Sequence, residues 1–144
     1  WINENNKVYI IDQTKLPFIY SEIELKSLND TIKAINNMQI RGAPLIGVTA
    51  AFGVYLSMID DPKNKNIENT KKRLIDTRPT AINLRWAVEK MSDSLMKVSE
   101  ELRADYALKY AKKMALKSLM GWGKKSAHPQ SLLASNEFIQ TPNT

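Results

Sequence analysis

The 144-residue chain has no cysteine. Disulfides, thiolate metal sites and a cysteine nucleophile are therefore excluded within it, and the composition is compatible with a cytoplasmic setting. Its one histidine, His128, excludes a histidine metal cluster. No glycine-rich phosphate loop or dinucleotide fingerprint occurs, which argues against a nucleotide cofactor. A signal peptide is not visible, because Trp1-Ile2-Asn3-Glu4-Asn5-Asn6-Lys7 is polar where an apolar segment would be needed. The chain also begins without methionine, so its natural start is expected to be upstream or lost. Long apolar runs are scarce. The longest, Ala43 to Ile59, sits at the lower limit of the ~17–25 residues a membrane span requires and contains Pro44, Gly47, Thr49, Gly53 and Ser57. It reads as a core helix, and no membrane partner is expected.

What the chain does have is enough apolar content, 43%, for one domain with a core. The net charge of +6 is uneven, with 13 basic and 11 acidic residues in 1–96 but 8 and 4 in 97–144. Those basic residues are spaced along a helical pattern with Glu and Asp among them, which describes a solvated face rather than a nucleic-acid groove.

Lys7-Val8-Tyr9-Ile10-Ile11 and Phe18-Ile19-Tyr20-Ser21-Glu22-Ile23-Glu24-Leu25 read as the strands of a small antiparallel hairpin, joined through Asp12-Gln13-Thr14-Lys15-Leu16-Pro17. Ser27 and Asp30 have capping-box spacing and open a helix with Leu28, Ile32, Ile35 and Met38 on one face. The central helix follows, with Pro44 at its first position. Its Gly47, Ala50, Ala51 and Gly53 allow neighbouring backbone to approach closely. A loop over 60–66, a short basic helix over 67–76, a helix starting at Pro79 and a last helix over 98–120 complete the pattern. Ile82, Trp86, Val88, Met91 and Leu95 mark the buried face of the fourth helix; Val98, Leu102, Tyr106, Tyr110 and Met114 mark that of the fifth. The fold class is α+β, mostly helical, with a small antiparallel sheet packed against about five helices. Residues 1–120 form the domain and 121–144 a divergent, poorly ordered tail.

Two turns carry the candidate chemistry. Arg41-Gly42-Ala43-Pro44 and Thr77-Arg78-Pro79 each place an arginine just before a proline-started helix. Helix N-termini offer free N–H donors and a positive dipole end, and guanidinium groups bind phosphate in bidentate fashion. Gly42 permits close approach of backbone to a ligand. If the turns meet in space they form a phosphate or sugar-phosphate site. The alternative is that both are ordinary connections whose arginines pair with Asp76 or Asp93 or reach solvent. Asp12, Glu22, Glu24, Asp60, Asp61 and Asp76 form no catalytic pair and read as surface carboxylates.

The segment Gln39 to Val54, with Thr77-Arg78-Pro79-Thr80-Ala81-Ile82-Asn83-Leu84-Arg85-Trp86-Ala87, closely resembles the N-terminal domain of the methylthioribose-1-phosphate isomerase family of methionine salvage. That family is related to the regulatory subunits of the translation-initiation exchange factor and to ribose-1,5-bisphosphate isomerase. The resemblance covers about residues 7 to 117, and Asp12 to Pro17 looks like the family's opening hairpin. It implies conversion of an aldose phosphate to a ketose phosphate without metal or nucleotide, with Arg41, Gly42, Ala43 and Arg78 helping to hold the sugar phosphate. The family's catalytic cysteine and aspartate, in motifs resembling Cys-Asn-Ala-Gly and Gly-Ala-Asp-Arg, have no counterpart here, so no catalytic residue is assigned. From about Ser118 the chain resembles the out-of-frame tail of a disrupted gene. The leading expectation is a truncated, pseudogene-like and inactive isomerase relative in the cytoplasm. The alternative is a noncatalytic interaction module that receives a partner chain or a second copy through residues 44–59 and 98–120, as the exchange-factor relatives do.

Overall fold

The computed structural model describes residues 6–40 and 42–121, with side chains through Ser118. Strands β1 (Val8–Ile11) and β2 (Glu22–Leu25) pair antiparallel, Val8 opposite Leu25 and Ile11 opposite Glu22. Val8, Ile10 and Leu25 are buried, as alternation on a half-buried hairpin requires. The second strand is shorter than its apolar run. The Asp12 N–H donates to the Ser21 carbonyl at 2.8 Å, and β1 then turns away into a 3-10 turn over Gln13–Lys15. Phe18, Ile19 and Tyr20 are left without a strand partner and are exposed.

Helix α1 (Leu28–Asn36) starts where the Ser27 hydroxyl accepts from the Asp30 N–H. The carboxylate of Asp30 accepts from the Lys26 N–H at 2.9 Å, one residue earlier than a capping box would place it. Leu28, Thr31, Ala34 and Ile35 form its buried face. Met38, expected on that face, instead adopts φ 59° beyond the helix end and is 47% exposed, because the left-handed residue swings the chain out of the helical track.

Helix α2 (Ala43–Asp60) is the centre of the molecule. Every residue from Ile46 to Met58 is buried, and α1, α3 (Asn64–Thr77), α4 (Ile82–Leu95) and α5 (Glu100–Gly121) all pack against it. Residues 46–58 are therefore not available as a partner surface, since α4 and α5 already cover them. Small residues make this packing possible. A Cβ on Gly53 would stand 2.8 Å from the Thr31 methyl on α1, and one on Gly47 would stand 3.3 Å from the Asn83 carbonyl on α4.

The outer helices depart from the periodic reading in detail. α3 begins at Asn64, earlier than residue 67, and α4 begins at Ile82, three residues after Pro79. Ile82 is 70% exposed and Leu84 is buried in its place. On α5, Leu102 is 56% exposed while Arg103 is buried. Its Nε–H is shared between the Leu95 and Val98 carbonyls, both at 2.9 Å, and Nη1 donates to the Pro62 carbonyl at 2.6 Å. The guanidinium thus satisfies carbonyls at the end of α4 and in the α2–α3 loop, a task a leucine could not perform. Ser57 and Thr70 share a 2.6 Å hydrogen bond, and Asn66 donates to Ser57 Oγ at 2.9 Å, so α2 and α3 are joined by a satisfied polar contact. Residues 122–144, the remainder of the expected tail, lie outside the described residues.

Gly53→Ala is predicted to lower unfolding free energy by about 1–3 kcal/mol, the usual range for overpacking a core. Urea unfolding measures this, and an unchanged midpoint would show that α1 does not need so close an approach to α2.

Candidate phosphate-binding end and adjoining cavity

Of the four residues expected at the site, Arg41 lies outside the described residues. Gly42 is the N-cap of α2 with φ 98°, a conformation natural to glycine and strained for other residues. Among the described residues, its chain neighbours aside, nothing lies within 4 Å of the position its Cβ would take. Ala43, not Pro44, is the first helical residue, and it is exposed. Proline in the first turn still fits, because its missing N–H would have no intrahelical acceptor.

Arg78 is placed differently from the expectation. It is the C-cap of α3, and residues 78–81 form a turn before α4, closed by the Ala81 N–H donating to the Arg78 carbonyl at 2.9 Å. Its partly buried guanidinium donates through Nη2 to the Ile35 carbonyl at 3.4 Å. That carbonyl belongs to the last turn of α1, where a cation meets the negative end of the helix dipole. Neither Asp76 nor Asp93 holds it: among the described residues Arg78 makes no ion pair. The Asn83–Gly47 contact sets the first turn of α4 against the second turn of α2. Arg78 thus lies at the end of α1 and four residues before α4, whose start packs on α2.

Asp12 is buried, with 3% of its surface exposed, contrary to its reading as a surface carboxylate. Its Oδ1 accepts from the Thr14 hydroxyl at 2.6 Å and the Thr14 N–H at 3.0 Å, and Oδ2 accepts from Gln39 Nε2 at 3.3 Å. The Thr14 hydroxyl is the main cause holding this carboxyl below the ordinary aspartate range. A further bond joins the Gln13 N–H to the Gln39 carbonyl at 2.9 Å. The hairpin connection therefore grips the segment that leads from α1 into the Gly42 turn. Asp-x-Thr is a local turn signature legible in sequence. The Gln39 half of the clamp has no such signal.

A cavity of about 290 Å³ opens between the hairpin and the start of α2. The buried Ile10 and Ile40 line it with Leu45, and Gln13 and Glu22 contribute polar groups. At its edge the Tyr20 hydroxyl donates to Glu22 Oε2 at 2.8 Å, and that hydrogen bond is the main cause raising the phenol above its ordinary range. Among the described residues no group of His, Cys, Asp and Glu side chains is assembled to hold a metal ion.

A largely apolar helix ringed by four others beside a two-stranded hairpin, with a glycine-capped helix start at one end, defines a helical α+β domain. The chain belongs to the Initiation factor 2 subunit family, whose model matches residues 39–141. That match extends past the residues 7 to 117 that carry the sequence resemblance, into the segment read as divergent. The chain is 47% identical over 116 residues to methylthioribose-1-phosphate isomerase of Brucella anthropi, covering 80% of this chain and 32% of that protein. Among solved structures, it is similar to the translation initiation factor eIF-2B subunit delta of A. fulgidus, with a TM-score of 0.74, 28% identity and 83% of this chain and 36% of that chain covered. It is also similar to 5-methylthioribose 1-phosphate isomerase of Pyrococcus horikoshii, with a TM-score of 0.72, 28% identity and 80% and 35% covered. The chain thus spans about a third of the length of the curated isomerase relatives it matches.

Asp12→Asn is predicted to lower stability at neutral pH and to matter less in acid. A carboxyl with a depressed pKa in the folded state stabilises above its unfolded value and loses that contribution as pH falls through the folded one. The difference between wild type and variant should be fully present above about pH 5 and shrink below the ordinary value of 3.8. Urea midpoints measured from pH 7 to pH 2.5 check this, and a constant difference would remove the carboxylate from the explanation.

Proposed function

We propose that this chain forms the phosphate-holding part of a methylthioribose-1-phosphate isomerase site and supplies no acid–base pair of its own. The observation that supports the reading is the packing of Asn83, at the start of α4, on Gly47 in the second turn of α2, with Arg78 four residues before α4 and bonded to the end of α1. Two positive helix ends and a guanidinium on one side of a domain favour a dianionic group. In this proposal Gly42 and Ala43 offer backbone to the phosphate, and Arg41 and Arg78 offer guanidinium donors. The activity named for the relatives, methylthioribose-1-phosphate isomerase, supports the choice of sugar phosphate. Absence of turnover by this chain alone is part of the proposal: no cysteine is present, and Asp12 is spent on the Thr14–Gln39 clamp. The reading carries with it the cytoplasmic location expected for such a protein.

A second reading, a noncatalytic module that docks a partner chain, draws on the likeness to the eIF-2B subunit and on Phe18, which is 92% exposed beside the exposed Ile19 and Tyr20. Phe18→Ser abolishing co-purification of a stoichiometric partner would favour it.

Calorimetric titration of the 144-residue chain with 5-methylthioribose 1-phosphate should show binding that Arg78→Ala weakens about tenfold, near the value of one charge-assisted hydrogen bond. An equal affinity for the variant would take Arg78 out of the site. Clear conversion of the sugar phosphate to its ketose by the chain alone would overturn the claim that it lacks an acid–base pair.

A further inference from the structure

We propose that a second cavity, at the far end of α2, binds a small zwitterion with an apolar tail, the chemistry of a free aliphatic amino acid. This cavity, of about 390 Å³, opens where the start of α1, the last turn of α2 and the middle of α3 meet. Leu56 and Asp60 are among its lining, whereas Gly42 caps the other end of the same helix, about 20 Å away at a rise of ~1.5 Å per residue. Binding here is therefore independent of the sugar-phosphate reading above.

Charge selects the ligand's polar end. Lys26 before α1, Arg73 on α3 and Asp60 at the end of α2 all line the cavity. Although both signs are present, among the described residues none of the three makes an ion pair. Arg73 is held instead by a neutral acceptor, the side-chain oxygen of Asn29 on α1, to which its Nη2 donates. The guanidinium keeps its charge and its other N–H groups. Lys26 leaves the chain at a fixed point, because its N–H donates to the Asp30 carboxylate at 2.9 Å. A carboxylate brought to Arg73 and Lys26 gains charge-assisted hydrogen bonds, and an ammonium brought to Asp60 gains the same. A plain anion would face Asp60 and a plain cation would face Arg73 and Lys26, whereas a molecule carrying both charges meets opposite partners throughout.

The aliphatic lining selects the tail. Leu28 and Leu56 are buried, and Ile59 beside them is 56% exposed. An aliphatic side chain laid against these residues removes apolar surface from water on both partners. Ser57, the buried polar group of the lining, is already engaged, with Oγ shared with Thr70 and accepting from Asn66. That network fixes the wall between α2 and α3. The volume falls within the ~300–1,000 Å³ of small-ligand sites and admits a molecule of this size.

NMR titration of the 144-residue chain with leucine, glycine, isocaproate and isoamylamine separates the three contacts. Leucine should bind about tenfold more tightly than each of the others, which lack in turn the tail, the ammonium and the carboxylate. Arg73→Gln should weaken leucine about tenfold and leave isoamylamine unchanged, and Lys26→Gln serves as a second variant of the same contact. Asp60→Asn should weaken leucine by a similar factor without weakening isocaproate. All three positions are exposed, and melting curves confirm that the variants are folded. Arg78→Ala should leave leucine binding unchanged. Failure of wild type to bind leucine, affinity no greater than for the three truncated compounds, or wild-type affinity in the folded variants would each overturn the proposal.

Discussion

Burial of α2 on every side is the constraint from which the rest of the architecture follows. A helix without a charge from Ala43 to Ile59 has no face to offer water, so it has to be enclosed. Four helices of ordinary amphipathic character supply the enclosure. They can approach only because α2 carries glycine at the two crossings, where Thr31 and the Asn83 backbone come within van der Waals reach. Close crossing at Gly47 also holds the first turn of α4 against α2, just after the turn that begins at Arg78. Packing in the interior and geometry at the candidate site are therefore one arrangement seen from two ends.

The hairpin is subordinate to this bundle and still shapes the site. Two four-residue strands bury little on their own. Their connection is fixed by Asp12, whose carboxylate bonds within its own turn and across to Gln39. Holding Gln39 orders the approach to the Gly42 turn, and it also sets one wall of the adjoining cavity. Local turn chemistry in the first strand connection thereby reaches a segment about 27 residues further along, the sequence separation of Asp12 and Gln39.

Much of this was legible in the residues. The largely apolar helix, its small side chains, the Ser27 cap and the antiparallel hairpin follow from composition, spacing and capping chemistry, all of them local properties. Elements whose placement depends on neighbours were less readable. Pro79 has the appearance of a helix start, yet α4 begins at Ile82, because a hydrogen-bonded turn from Arg78 to Ala81 intervenes. Leu102 and Ile82 look like core residues by hydrophobicity, whereas Arg103 and Leu84 occupy the interior. The reason for Arg103 is visible only in three dimensions, since its acceptors come from α4 and from a loop 41 residues away. At the candidate site, Gly42 could be read from its turn, while the contact of Arg78 with the end of α1 required knowledge of how two helices meet.

That buried arginine has one more implication. Its partners are neutral carbonyls rather than carboxylates, so the joint between α5, the end of α4 and the α2–α3 loop depends on dipoles and geometry and not on paired opposite charges. Added electrolyte screens exposed charges and scarcely reaches such a site. A lysine there would keep the positive charge and lose the planar fork that spans acceptors on two separate segments. Families that vary this position would have to rebuild the whole corner, and homologous domains with a different residue at 103 should show a differently routed loop between their second and third helices.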